Sequence, residues 1–130
     1  MPAAYLLDTS VCVSLIRGHS SFRDLPPAET CKVSAISSAE LEVGIHRSSR
    51  PVDQRIAVYG LLALFEILPW DATLVSDYAE IRVDLEKRGT VIGPLDLLIA
   101  AHARSLGATL ITANAGEFRR VKGLKVLAWK

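Results

Sequence analysis

Short apolar runs alternate with helix-like segments along the chain, and this alternation constrains the fold more than any other feature. Strands are predicted at 5–7, 32–36, 65–70, 108–112 and 124–128, and helices at 11–17, 37–47, 51–64, 71–87 and 95–106. Alternating strands and helices form parallel sheets covered on both faces. The sequence therefore predicts one α/β domain over residues 1–130, with a central, mostly parallel five-stranded sheet flanked by helices.

The composition is typical of a folded protein but does not indicate whether it binds nucleic acid. Half of the 130 residues are apolar and the net charge is +1, so any nucleic-acid contact must come from local clusters of Arg and Lys. No apolar run approaches the roughly 18 residues that span a bilayer, and the segment before Asp8 lacks a basic signal-peptide start. Cys12 and Cys31 show no CxxC spacing. We expect a cytoplasmic protein with reduced, buried thiols and no membrane contact.

Three carboxylates are predicted to lie at the edge of the parallel sheet where ligands usually bind. Asp8 ends the first predicted strand, Glu40 follows the second by four residues, and Asp96 lies in the first turn of the helix that leads into the fourth. Ligands of open α/β sheets bind beyond the carboxyl ends of the strands, near the point where the winding direction switches. Topology alone therefore predicts that these side chains converge.

Each carboxylate also has a purely structural interpretation. Asp8 could cap the first helix, Ser37 and Glu40 match a capping box, and Asp96 could complement the positive end of its helix. However, apolar residues surround Asp96 throughout 95–101. A carboxylate in such surroundings is paired, protonated or bound to a cation.

A cluster of three carboxylates implies a divalent cation. Two carboxylates about 4 Å apart repel by roughly 4 kcal/mol at an effective dielectric near 20, so three require protons or a bound ion. Mg²⁺ prefers oxygen ligands from one or two carboxylates together with substrate phosphates. The cluster therefore predicts Mg²⁺ or Mn²⁺ and metal-assisted phosphate chemistry.

Four stretches in series carry a family resemblance: 6–10, 38–41 with Gly44, 92–102, and 110–114 leading into Glu117 and Phe118. On these residues the chain resembles PIN-domain ribonucleases, and specifically the VapC toxins of bacterial toxin–antitoxin pairs. The resemblance implies a three-layer PIN sandwich and endonucleolytic cleavage of RNA by a metal-activated water.

The resemblance also implies roles for individual residues. Asp8 and Asp96 would be metal ligands, Glu40 a ligand or water-positioning group, and Ser10 and Thr112 supporting hydrogen-bond partners. Asn114 stands at a fourth catalytic position that is acidic in many PIN domains. Glu117 is a further candidate metal ligand that could compensate for the missing charge.

Basic residues supply candidate RNA contacts. Arg17 and Arg104 could flank the site, as could Arg47 and Arg50, and the only dense basic cluster comprises Arg119, Arg120, Lys122 and Lys125. We take Arg17, Arg104, Arg119 and Arg120 as the RNA-contact candidates. The alternative for the cluster is a solvated charged face.

The remaining notable residues are predicted to pack in the core or to form an interface with a partner protein. His102 is predicted to be a packed side chain, and Trp70 and Trp129 are predicted to be core or interface anchors. The run 56–65 carries more apolar residues than one buried helix face requires, which favours a partner surface. By family analogy, the partners would be a second copy of the chain and a VapB-type antitoxin that inhibits the toxin.

Two alternative functions remain open at this point. One is a catalytically inactive PIN-like module that binds RNA or protein, which the complete set of carboxylates disfavours. The other is a phosphotransferase with a nucleophilic aspartate. Such a site would place a second Asp two residues after Asp8, where this chain has Ser10.

Overall fold

Five parallel strands form one twisted sheet in the computed structural model, which describes residues 3–129. The strands are β1 Tyr5–Leu7, β2 Cys31–Ser34, β3 Glu66–Leu68, β4 Thr109–Thr112 and β5 Lys125–Ala128. The helices are α1 Thr9–Ile16, α2 Ala35–Arg47, α3 Pro51–Leu62, α4 Val75–Lys87, α5 Pro94–Leu106 and α6 Ala115–Phe118. The predicted order of elements is therefore confirmed.

The strand order β3-β2-β1-β4-β5 places a switch in winding direction between β1 and β4. The chain moves outward from β1 through β2 to β3, then returns to β4 on the other side of β1. All four strand pairs are parallel, so the carboxyl ends of all five strands share one edge of the sheet. Asp8 follows β1 and Thr112 ends β4, so both residues stand at the switch point.

Two apolar layers cover the sheet. Leu7 packs with residues of α1, α2 and α3, including Val11, Leu41 and Val58. Leu6 points to the opposite face and packs with residues of α4 and α5, including Leu85 and Ile99. Because neighbouring strand residues face opposite ways, β1 is buried on both sides and fixes the three-layer arrangement. Helices from both layers therefore reach the same edge of the sheet.

Several element boundaries differ from the prediction for local reasons. The second strand ends at Ser34 rather than at residue 36, because the Ser34 hydroxyl accepts the N–H of Ile36 and starts α2 there. The predicted helix at 71 begins instead as a single 3₁₀ turn, Ala72–Leu74, capped by Asp71 through the N–H of Thr73. The α5 helix ends as predicted at Gly107, whose φ of +64° is a left-handed conformation suited to glycine.

Predicted packing residues are found inside. His102 is buried and lies 2.8 Å from the Ser34 hydroxyl, Trp70 donates to the carbonyl of Leu98, and Trp129 donates to Ser20. Cys12 and Cys31 are buried free thiols, and burial raises the pKa of Cys12 to about 12. None of the helices in residues 3–129 is long and apolar enough to cross a membrane.

Candidate active site

Asp8 is buried at the switch point and held by two hydroxyl groups. Its side chain is 2% exposed, and its Oδ2 accepts from Ser10 Oγ at 2.7 Å and from Thr112 Oγ1 at 2.8 Å. Both hydroxyls are themselves fixed, because Ser10 accepts the N–H of Ala113 and Thr112 accepts the N–H of Asn114. Ser10 and Thr112 thus stand where the predicted supporting role requires them. Although Asp8 occupies the N-cap position of α1, its carboxylate makes no capping bond, so the capping interpretation is wrong.

Glu40 approaches the same edge from α2 and is held by Thr9. Thr9 Oγ1 lies 2.7 Å from Glu40 Oε1 and 2.9 Å from Ser37 Oγ. The Thr9 hydroxyl is the donor toward both oxygens, and its single proton goes to the Glu40 carboxylate at the shorter distance, with Ser37 Oγ as the second acceptor. Ser37 is fully buried. The predicted capping box of Ser37 and Glu40 is wrong, because α2 starts earlier and Ser34 caps it.

Asp96 approaches from the opposite layer on α5 and meets Glu117. Burial raises the pKa of Asp96 from its ordinary value of 3.8 to about 7, and the charge and hydrogen bond of Glu117 act in the same direction. The negative charges of Asp8 and Glu40 raise this pKa further. The helix dipole alone favours an ionised carboxylate in the first turn. The raised pKa therefore reflects burial and, after it, nearby negative charge, and it runs against the effect of a simple helix-capping position.

Glu117 is tied to the start of α5. Its Oε1 accepts the N–H of Gly93, the residue that caps this helix, at 3.2 Å. This bond holds the Glu117 carboxylate beside Asp96, as expected of the further candidate ligand. By contrast, the side chain of Asn114 is exposed and makes no capping bond to α6. Glu117 therefore acts on Asp96 directly, and its effect on the Asp96 pKa is larger than that of Asp8 or Glu40.

The donor set fits a hard divalent cation that keeps part of its water. Among residues 3–129, no group of three or more His, Cys, Asp or Glu side chains is arranged so that it could hold a metal ion, so the predicted convergence of three carboxylates on one ion is not present in this arrangement. Mg²⁺ is usually held by one or two carboxylates, waters and substrate phosphates instead. Asp8 and Asp96 offer carboxylate oxygens from opposite layers, and the raised pKa of Asp96 marks the excess negative charge that such an ion would relieve.

Some of the arginines predicted to contact RNA are bound to other residues of the protein, and others are exposed without such a partner. Arg104 is 17% exposed and binds Asp77 at 2.6 Å and Glu80 at 3.0 Å, so its geometry does not support the predicted RNA contact. In the basic cluster, Arg120 donates to the Val91 carbonyl. Lys122 pairs with Asp84 and Lys125 donates to the carbonyl of Gly107. Within residues 3–129, Arg17 and Arg119 have exposed guanidinium groups without such partners. The basic cluster is largely occupied by local contacts.

Thr9 is the site residue that sequence analysis missed. It lies inside the matched stretch 6–10, but its partner Glu40 is 31 positions away. Only the packing of α1 beside α2 brings the two together.

Comparison with known proteins now identifies the family. The model of the PIN domain family matches residues 5–124. The chain belongs to the PIN-domain family. This PIN domain is 35% identical to ribonuclease VapC2 of Rickettsia felis, over 96% of this chain and 97% of that protein. It is 33% identical to the tRNA(fMet)-specific endonuclease VapC of Shigella flexneri, with the same coverage.

Solved structures give the same result for the fold. This PIN domain superimposes on a chain of the DNA-bound VapBC complex from Salmonella typhimurium with a TM-score of 0.93. The two are 30% identical over 98% of this chain and 99% of that chain. The predicted PIN-like three-layer sandwich with its five-stranded sheet is confirmed.

Proposed function

We propose that this PIN domain is a divalent-metal-dependent endoribonuclease and the toxin of a toxin–antitoxin pair. The observation that carries the proposal is the placement of Asp96 in a partly buried position where Glu117, Asp8 and Glu40 act on it: burial, followed by the charges of these three carboxylates, raises the pKa of Asp96 to about 7. The two named relatives are a ribonuclease and a tRNA-specific endonuclease, each matched over nearly its whole length. The inactive-module alternative finds no support, because Asp8, Glu40 and Asp96 are all present and the named relatives are nucleases.

The proposed reaction is hydrolysis of an RNA phosphodiester by in-line attack of water. Asp8 and Asp96 would hold Mg²⁺ or Mn²⁺, with Glu117 as a further ligand. A bound ion of this kind lowers the pKa of water and offsets negative charge on the phosphate. Glu40, oriented by Thr9, is placed to orient the attacking water or accept its proton. Ser10 and Thr112 keep the Asp8 carboxylate in one orientation.

A VapB-type antitoxin is the proposed inhibitory partner, since the matched solved chains include members of VapBC complexes. Apolar surface for a partner is available on α3, where Val52, Ile56 and Tyr59 are exposed at helical spacing. This stripe suits either the antitoxin or a second copy in a homodimer. The cytoplasm is the proposed location, because it holds the RNA and keeps thiols such as Cys12 reduced.

Cleavage of purified RNA in Mg²⁺ tests this function. Wild-type protein should cut RNA in Mg²⁺ and stop when EDTA is added, and Asp96→Asn should be folded but inactive. Circular dichroism supplies the folding control. An Asp96→Asn protein that cuts as fast as wild type would overturn the proposal. Transfer of phosphate from a phosphodonor to Asp8 would instead support the phosphotransferase.

A further inference from the structure

A buried hydrogen bond joins the two helices that carry Glu40 and Asp96. His102 Nδ1, on α5, lies 2.8 Å from the Oγ of Ser34, the residue that ends β2 and caps α2. The His102 side chain is 2% exposed and Ser34 is fully buried. On α5, Asp96 precedes His102 by six residues, and on α2 the same number separates Ser34 from Glu40. The bond therefore connects the two layers of the site at one buried point.

Ser34 determines where α2 begins and how its first turn is placed. Its hydroxyl accepts the N–H of Ile36 at 3.1 Å, and Ile36 itself packs against the layer of α4 and α5. In the same turn, the buried Ser37 Oγ lies 2.9 Å from Thr9 Oγ1, which donates to Glu40. Six residues of helix span about 9 Å and move as one rigid segment. A shift of Ser34 is therefore passed on to Glu40.

The α5 helix is held independently of this bond. Trp70 Nε1 donates to the carbonyl of Leu98 at 2.9 Å, one turn before His102. Near the other end of the helix, Arg104 binds Asp77 on α4 at 2.6 Å. If the bond to His102 is lost, the start of α2 is therefore free to shift while α5 and Asp96 stay in place.

An imidazole is an unusual group at this position of α5, because the neighbouring buried residues Ile99, Ala100 and Ala103 are apolar. Burial lowers the pKa of His102 below its ordinary value of 6.5, although the negative charge of Asp71 acts in the opposite direction. A neutral ring can accept the Ser34 proton at Nδ1. Buried polar pairs of this kind add little net stability, but they specify one arrangement of the groups that they join.

We propose that His102 is a positioning residue which, through Ser34, fixes the Glu40 carboxylate relative to the ion site at Asp8 and Asp96. The proposal rests on the proposed ribonuclease function and adds to it a residue that acts only through the placement of α2. Misplacing a catalytic group by about 1 Å can cost on the order of 100-fold in rate. Because Glu40 serves the attacking water, loss of the bond should slow the chemical step and leave ion binding intact.

The experiment measures kcat and KM on an RNA oligonucleotide copied from the strongest cut that wild-type protein makes in total bacterial RNA. His102→Leu replaces the ring by an apolar side chain of similar size, and it should lower kcat on the order of tenfold or more. KM and the Mn²⁺ affinity from calorimetric titration should stay at the wild-type values. His102→Asn should recover most of kcat, because its amide is bonded to Cγ as Nδ1 is.

Two further variants separate positioning from general stability. Ser34→Ala removes the same bond from the other side, so combining it with His102→Leu should slow cleavage no more than the slower single change does. It also carries the comparison if His102→Leu is unfolded. Trp70→Phe is the matched control, since it removes a bond to α5 that does not involve α2. It should lower the urea midpoint of unfolding and leave kcat unchanged.

The outcomes separate this inference from the function on which it rests. If wild-type protein cuts no RNA, the ribonuclease proposal fails. If wild type cuts and folded His102→Leu keeps its kcat, only the positioning role is overturned. The same holds if Mn²⁺ affinity falls together with kcat, since the ion site would then be disturbed. Equal slowing by Trp70→Phe, or no recovery in His102→Asn, would also overturn it, because the effect would then follow lost packing rather than the bond to Ser34.

Discussion

The Thr9 hydroxyl lies 2.7 Å from Glu40 Oε1 and links the start of α1 to the carboxylate on α2. Replacing Thr9 by Val keeps the shape of the side chain and removes this bond, so Glu40 would be free to turn away from the position proposed for the attacking water. Loss of such supporting partners typically costs about 10–100-fold in activity. We expect kcat to fall by this factor in a steady-state cleavage assay, with KM little changed.

Thr9→Ser is the matched control for that change, because it restores the hydroxyl. It should recover most of the lost kcat. Thr9→Val should also lower the free energy of unfolding by about 1 kcal/mol through the lost bonds to Ser37 and Glu40, which denaturant titration measures separately. Equal kcat values for the Val and Ser variants would remove Thr9 from the catalytic arrangement.

Ionisation of Asp96 should lower the free energy of unfolding of the metal-free protein as the pH rises. Its pKa is about 7 in the folded state and near 3.8 when unfolded, so between these values the folded state holds a proton that the unfolded state has lost. The free energy of unfolding therefore decreases from about pH 4 to pH 7 and carries the full penalty above pH 7. Since Asp96 is only partly buried, the expected difference is about 1 kcal/mol.

Thermal melts in EDTA at pH 5.5 and pH 8 measure this effect when wild type is compared with Asp96→Asn. The variant lacks the titrating group, so its stability gain relative to wild type should be about twice as large at pH 8 as at pH 5.5, where only about half of the penalty has accrued. The comparison cancels His102, whose pKa is lowered by burial and whose contribution has the opposite slope. A constant difference between the two proteins at both pH values would contradict the assigned pKa shift.

Arg104 should contribute to stability and not to RNA binding. Its partly buried pair with Asp77 and its bond to Glu80 tie α5 to α4, and removing one partner leaves the others unsatisfied. Arg104→Ala should lower the free energy of unfolding by about 1–3 kcal/mol, measured by urea titration. The affinity of folded protein for RNA, measured by fluorescence anisotropy, should not change.

Arg82→Ala is the control for Arg104, since Arg82 pairs with Glu86 on the exposed surface of α4. It should cost less than about 1 kcal/mol. Weaker RNA binding by Arg104→Ala, with normal stability, would restore the original prediction that Arg104 touches RNA.

The sequence was sufficient to predict the fold because its signals are local and repeat along the chain. Apolar runs such as 108–112 and helix ends such as Gly107 identify their elements independently of tertiary contacts. The electrostatic effect of Asp8 on Asp96 could be anticipated from topology, since parallel strands bring their carboxyl ends to one edge of the sheet. Element boundaries were less certain, as at Ser34, where one side-chain hydrogen bond ends the strand early.

Side-chain pairing across long sequence separations could not be predicted. Nothing in the sequence joins Thr9 to Glu40 or Arg104 to Asp77, because these contacts depend on how helices pack on the sheet. Arg104 and Arg17 looked equivalent as basic residues near the site. Only the structure shows that two acids, Asp77 and Glu80, bind the Arg104 guanidinium, whereas the Arg17 side chain is exposed.

The account depends on the crowded carboxylates acting together on one divalent ion. Calorimetric titration of Mn²⁺ at pH 8, where Asp96 is ionised, measures this most directly. Wild-type protein should bind the ion, and both Asp8→Asn and Asp96→Asn should weaken binding by about tenfold or more, although both variants remain folded. Unchanged Mn²⁺ affinity in the two variants would contradict the account.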